Sequence, residues 1–152
     1  MSEPKVSRPK SPDFMARGTG DLLAWSWAQG RLESERHYWV ATVGPYGRPH
    51  VRPVWGAFVD DRLYLSVGAA GFRQVDERRD VSVHVDSGVD VVIIDGVAER
   101  VGDQAERRSV SEVYNPKYGL ELDADFVNFR VSLSVVWGWR DGDVNTATKW
   151  TF

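Results

Sequence analysis

Residues 37–68 read HYWVATVGPYGRPHVRPVWGAFVDDRLYLSVG, three consecutive segments of alternating character separated by two tight turns. A period of two belongs to β-strands, whose successive side chains point to opposite faces. Turns this short leave no room for a crossover, so neighbouring segments must run antiparallel. The first segment is residues 38–43, and Pro45-Tyr46-Gly47 forms its turn. In the second, Val51, Pro53, Trp55, Ala57 and Val59 share one face, while Arg48, His50 and Arg52 begin the other. In the third, Leu63, Leu65 and Val67 oppose Arg62, Tyr64 and Ser66.

The turn Gly68-Ala69-Ala70-Gly71 then opens a short helical run, FRQVDERR. A strand, a glycine turn and a helix start place backbone N–H groups and the cation of Arg73 at one spot. Such a spot suits an anion, because the first helical amides lack partners and the helix dipole is positive there.

Around this centre the chain continues in the same style. Val81, Val83 and Val85 alternate with Ser82, His84 and Asp86, the pattern of a half-exposed strand. Val91, Val92, Ile93 and Ile94 do not alternate, which predicts cover on both faces: the barrel interior on one, a helix or a second subunit on the other. Two closing strands, roughly 129–140 and 146–152, meet at Asp141-Gly142. One helix is expected from Thr19 or Asp21, burying Leu22, Leu23, Trp25, Trp27, Ala28 and Leu32 over an open end of the sheet. Asp103 caps another, with Val110, Val113 and Tyr114 inward, and Asn115-Pro116 should end it. Residues 1–13, with several Lys, Arg and Pro and little to bury, read as a mobile arm ahead of a single domain over 14–152. The sum is mainly β with some α: a small antiparallel barrel of six or seven strands and two or three covering helices.

Composition narrows the chemistry. The 152 residues include no Cys, which excludes disulfides, thiolate metal sites and cysteine nucleophiles. That, with no signal-like or long apolar run, points to a cytoplasmic protein without a membrane anchor. A net charge of −3 gives no global field for nucleic acid. The three histidines, 37, 50 and 84, match no metal-ligand spacing, and none of the familiar hydrolase, metalloprotease or phosphate-loop motifs occurs. No catalytic residue can be named from these patterns, and no metal site. An enzyme of this composition would draw its chemistry from a bound cofactor.

The run from Tyr38 to Gly68, followed by RRDVSVHVDSGVDVVIIDGVAERV, resembles the flavin/deazaflavin oxidoreductase superfamily, the pyridoxamine-phosphate-oxidase-like split β-barrels, and most closely its F-420-binding group. The similarity covers about residues 27–101 and returns at YNPKYG (residues 114–119) and at the closing ATKWTF, which resembles the family's A-T-R-W-x-F. It implies a homodimer with two equivalent cofactor sites between subunits. The tricyclic ring would lie against Arg52, Pro53, Val54 and Trp55, with phosphate near Ser66, Val67 and Gly68. Arg73 and Gln74 fall where the family carries R and N in K-A-R-N-L, and Lys149 and Trp150 would reach the site from the partner. Where the family has Lys, this chain has Gly71, which leaves Arg73 as the main side-chain anchor for phosphate.

The resemblance therefore implies an oxidoreductase using F-420, with FMN as the close alternative, acting on a small molecule. A flavin- or haem-binding module without catalysis, and a dimeric interaction protein, are the readings from other classes. Each candidate also has a plainer role. Arg52 and Arg73 suit solvated cations, Trp55 a core residue, Ser66 an exposed hydroxyl, and Lys149 and Trp150 the end of the last strand.

Overall fold

A computed structural model describes residues 2–67, 73–121 and 127–152, with Arg73 and Gln74 as backbone alone. The three alternating segments are strands β2 (Tyr38–Val43), β3 (Pro49–Val59) and β4 (Arg62–Ser66), paired antiparallel with Val40 opposite Arg52 and Ala57 opposite Tyr64. β5 (Asp80–Val85) lies on the other side of β2, followed by β6 (Val91–Arg100) and β7 (Phe129–Arg140). β7 also pairs with β4, so six strands close into a barrel. β8 (Asp143–Thr151) extends the sheet from β7, and β1 (Lys5–Ser7) adds an eighth strand beyond it. The β7–β8 turn has positive φ at both Asp141 (57°) and Gly142 (66°), the geometry that a two-residue hairpin needs and that Asp and Gly tolerate.

Among the described residues there are four helices: α1 (Asp13–Ala16), α2 (Trp25–Ser34), α3 (Arg73–Glu77) and α4 (Gln104–Tyr118). α2 closes one end of the barrel with Ala28 and Leu32, joining an interior built from Tyr38, Val40, Phe58, Leu65, Val83, Ile94 and their neighbours. A second, smaller cluster forms outside the barrel. There α4 lays Val110, Tyr114 and Tyr118 over Ala57 of β3 and Tyr64 of β4. β4 is thus covered on both faces, and the odd-numbered face of β3 is its outer one. Ala57 is buried there, Val51 lies beyond α4 and is exposed, and Trp55 meets only the last residue of α4, Tyr118, and stays partly exposed.

Three expectations are corrected. The first thirteen residues are not a free arm: Lys5–Ser7 pairs with Lys149–Thr151, and Arg8 donates to the carbonyls of Asn145 and Ala147. An unpaired edge strand offers backbone groups to any extended neighbour, and its own N-terminus is the nearest one. The helix expected from Thr19 or Asp21 starts only at Trp25, because backbone upstream is held along β8: Gly20 N–H donates to the Asn145 carbonyl at 3.0 Å and Leu23 N–H to the Thr148 hydroxyl at 2.8 Å. Pro116 does not end the last helix, which runs on to Tyr118 and stops at the left-handed Gly119. Burial of Tyr114 and Tyr118 repays the one backbone bond that the proline lacks. Asp103, by contrast, caps this helix as anticipated, accepting from the Ala105 N–H at 2.8 Å.

The run 91–94 is covered unevenly. Val92 and Ile94 are fully inside, while Ile93 on the outer face is only half-buried.

Candidate functional site

The outer face of β3 carries the site because two of its neighbours on that face leave space. Trp55 pairs with Ser66 of β4, and Pro53 pairs with Trp39 of β2. Trp55 is 39% exposed, and one face of its indole lies parallel to the Tyr118 ring, 4.5 Å between centroids at 3°. It is therefore neither core nor a free surface residue: one face is packed and the other is open. Pro53 is exposed beside it on the same face, whereas Arg52, also exposed, lies on the opposite face of β3, where its cross-strand partner is Val40, and does not border the indole. Val54 departs from the expected set. Its side chain points into the barrel and packs on the core, leaving only its backbone near the surface.

Ser66 and Val67 bring the chain to the glycine turn. The Ser66 hydroxyl sits beside that of Tyr114. Val67 is held by Asn128, whose Oδ1 accepts from the Val67 N–H at 3.1 Å while its Nδ2 donates to the Val67 carbonyl at 2.6 Å. That amide is committed and is not a free donor for phosphate. Gly68 and Gly71, and the side chains of Arg73 and Gln74, lie outside the described residues. The backbone of α3 begins at Arg73, where the helical run was expected.

The two closing residues part company. Lys149 is half-exposed on the outer face, opposite Trp137. Trp150 is fully buried in the barrel, 5.5 Å from Trp25 between ring centroids, and cannot reach across to a partner's site. Alternation on β8 puts neighbours on opposite faces, so both could not serve one surface.

Two groups of site residues were not legible as such. The first is the last turn of α4. Lys117 Nζ donates to the Tyr38 hydroxyl at 2.8 Å and to the Gly56 carbonyl at 3.0 Å. Burial pushes this amine down to about 8; Glu35 opposes that shift and Arg36 adds to it. Burial pushes the Tyr38 hydroxyl up, and it donates to the Leu32 carbonyl. The motif YNPKYG marked these residues, but only the fold shows that they stand behind Trp55. The second is an outer row of cross-strand partners, Pro53, Trp39, His84, Ile93, Trp137 and Lys149, running from β3 to β8. Direct partners share a face. The row begins beside Trp55 and makes one apolar surface continuous with it. Strand alternation alone predicts each member but not their alignment.

Among the described residues no three His, Asp or Glu side chains converge as a metal site, and no helix is long and apolar enough to cross a membrane. The arrangement suits a flat ring laid on an aromatic wall.

Comparison with solved structures gives the same fold. A conserved hypothetical protein from Mycobacterium tuberculosis superposes with a TM-score of 0.68 at 23% identity, covering 82% of this chain and 90% of that one. An F-420 reductase matches at TM-score 0.57 and 21% identity over 71% of this chain and 94% of its own. An FAD-binding protein from Mesorhizobium loti matches at 0.58 and 21% over 86% and 95%. At these identities the likeness is one of fold. No curated protein matches the sequence. Residues 28–140, which span the barrel from α2 to the end of β7, match the family described as pyridoxamine 5′-phosphate oxidase, and the chain belongs to that family, whose members bind flavin-type cofactors.

Proposed function

We propose that this protein is an oxidoreductase that binds F-420, with FMN as the alternative, and moves a hydride between that cofactor and a small molecule. The observation that carries the reading is the open indole face of Trp55, backed by Tyr118 and flanked on the same face of β3 by Pro53. These residues fit a planar cofactor, because Trp55 and Pro53 supply an apolar wall on one face of the strand. Ser66 ends β4 opposite Trp55, and the family resemblance puts the phosphate in the residues that follow it, toward Arg73 in the sequence. When bound, the cofactor supplies the redox chemistry. The chain's part is to hold the ring flat, orient it and keep water from one of its faces. The F-420 reductase among the structural neighbours supports F-420, and the FAD-binding neighbour supports a flavin more broadly.

The site is completed by a second copy of the chain. The row from Pro53 to Lys149 is apolar at Trp39, Ile93 and Trp137, and each of these is half-buried in the single chain. Pairing two such faces would cover Ile93 and bring the partner's outer face, Lys149 included, toward Trp55.

The test is a titration of the purified protein with F-420 and with FMN, read by tryptophan quenching and by the cofactor's absorption band. Saturable binding with micromolar or tighter affinity to F-420 is the expected result. Saturation by FMN alone would move the assignment to the alternative. Binding of neither would remove the oxidoreductase reading.

A further inference from the structure

The contacts made by the end of α4 converge on a single residue, Gly56. The Tyr118 hydroxyl accepts from the Gly56 N–H at 3.0 Å, and lies 2.8 Å from the Arg36 carbonyl and 3.0 Å from the Gly56 carbonyl, one of which takes its proton. Lys117 Nζ donates to the same Gly56 carbonyl at 3.0 Å. Gly56 has no room for a side chain, since a Cβ there would lie 2.4 Å from the Tyr64 carbonyl oxygen. The backbone next to Trp55 is thus gripped on both its N–H and its C=O.

The Trp55 ring is fixed by the same residue. Tyr118 lies parallel to it, and is itself braced by Tyr114 at 4.9 Å and by the Arg36 guanidinium 5.2 Å from its centroid. An indole on an exposed strand end would otherwise sample several χ1 and χ2 wells. A wall already set before the ligand arrives spares the cost of ordering it on binding.

We propose that Tyr118 is a positioning residue for the planar-ligand site, acting through Trp55: it holds the indole, by its ring and by its hydroxyl on Gly56, in the one orientation that leaves the far face open. This deepens the cofactor reading above and rests on it for the identity of the ligand. Tyr118 touches no ligand in this scheme. Its ring is spent on the packed face of Trp55.

The test separates the wall from the ligand. The full chain is labelled with 5-fluorotryptophan, and the Trp55 resonance is assigned with Trp55→Phe. In the free wild-type protein that resonance should be single and narrow. Tyr118→Leu, which removes the plane, should shift it and broaden or split it, whereas Tyr118→Phe should leave it close to wild type. FMN and F-420 titrations should follow: about tenfold or greater weakening in Tyr118→Leu and under about threefold in Tyr118→Phe, as expected when a pre-set wall must be ordered during binding. If Tyr118→Leu loses its far-UV signal, Tyr118→Met, which fills the volume without a plane, carries the same expectation. An unchanged Trp55 resonance in a folded Leu or Met variant overturns the proposal, as does wild-type affinity with a disordered indole. Failure of the wild type to bind either cofactor would instead defeat the oxidoreductase reading, and the fluorine resonance would still decide whether Tyr118 sets the indole.

Discussion

Lys117 holds an amine among Tyr38, Tyr118 and the Gly56 carbonyl, 4.8 Å from the Tyr38 ring centroid, where water solvates it poorly. Its pKa falls from the ordinary 10.5 to about 8, so between those values the unfolded chain binds more protons than the folded one. Stability from this group therefore rises with pH across the window, and the cost of burying its charge is fully present below about pH 8. Above about pH 10 the buried tyrosines act the other way: burial raises their folded pKa values, so the unfolded phenols ionise first and stability falls as pH rises. The prediction is confined to pH 7.5 against 9.5. Urea unfolding should show the wild type gaining stability relative to Lys117→Met over that interval, and a constant difference would mean that the amine is ordinary. The strand pattern gives Trp55 only a face of β3, and the family resemblance makes it a ring contact. Its half-packed state needed Tyr118, which is 63 positions further along the chain and invisible to any local pattern.

α4 is secured to the barrel by more than its apolar face. Glu106 in its first turn accepts from the Tyr64 hydroxyl of β4 at 2.8 Å and from Arg130 of β7 at 2.7 Å, while Arg130 also reaches Glu99 of β6 at 2.9 Å. Burial alone would raise the Glu106 carboxyl, but the hydrogen bonds from Tyr64 and Arg130 outweigh it and hold the group below its usual range. A depressed carboxylate stabilises the fold above its unfolded pKa, and that contribution disappears as pH falls through the lower folded value. Glu106→Gln should lower stability by about 1–2 kcal/mol at pH 7, a range reduced for the water that reaches the pair. The loss should shrink toward pH 3 in chemical denaturation, and an equal loss at both pH values would assign the effect to packing. The capping residue of this helix was readable from Asp103. Its true end was not, because Pro116 is a local stop signal and the burial that overrides it comes from β3 and β4.

The barrel as a whole exposes one apolar outer surface and covers another. α4 takes the outside of β3 and β4, and the row through Trp39, Ile93 and Trp137 has no helix over it among the described residues. A second copy is the proposed cover. Ile93→Asp, at a half-buried position outside the core, should leave the monomer folded and shift sedimentation from a dimer to a monomer mass at micromolar concentration. It should also weaken cofactor binding, because the second wall of the site would be lost. A wild-type monomer would remove both expectations.

What the sequence determined by itself was local and periodic. Alternation over residues 37–68 specified three antiparallel strands, Asp141-Gly142 a hairpin, Asp103 a helix start, and the ordered runs through ATKWTF the family. Those signals work because a period of two, a positive φ or a capping carboxylate is decided by neighbouring residues. Tertiary structure decided which face of each strand lies inside. It buried Trp150 and left Lys149 outside, turned Val54 inward, committed the Val67 amide to Asn128, and paired residues 5–7 with the last strand. It also carried a helix through Pro116 to stand Tyr118 behind Trp55. Each of these depends on contacts between segments tens of residues apart, where the free energy of burial outweighs the preference of any single stretch of chain.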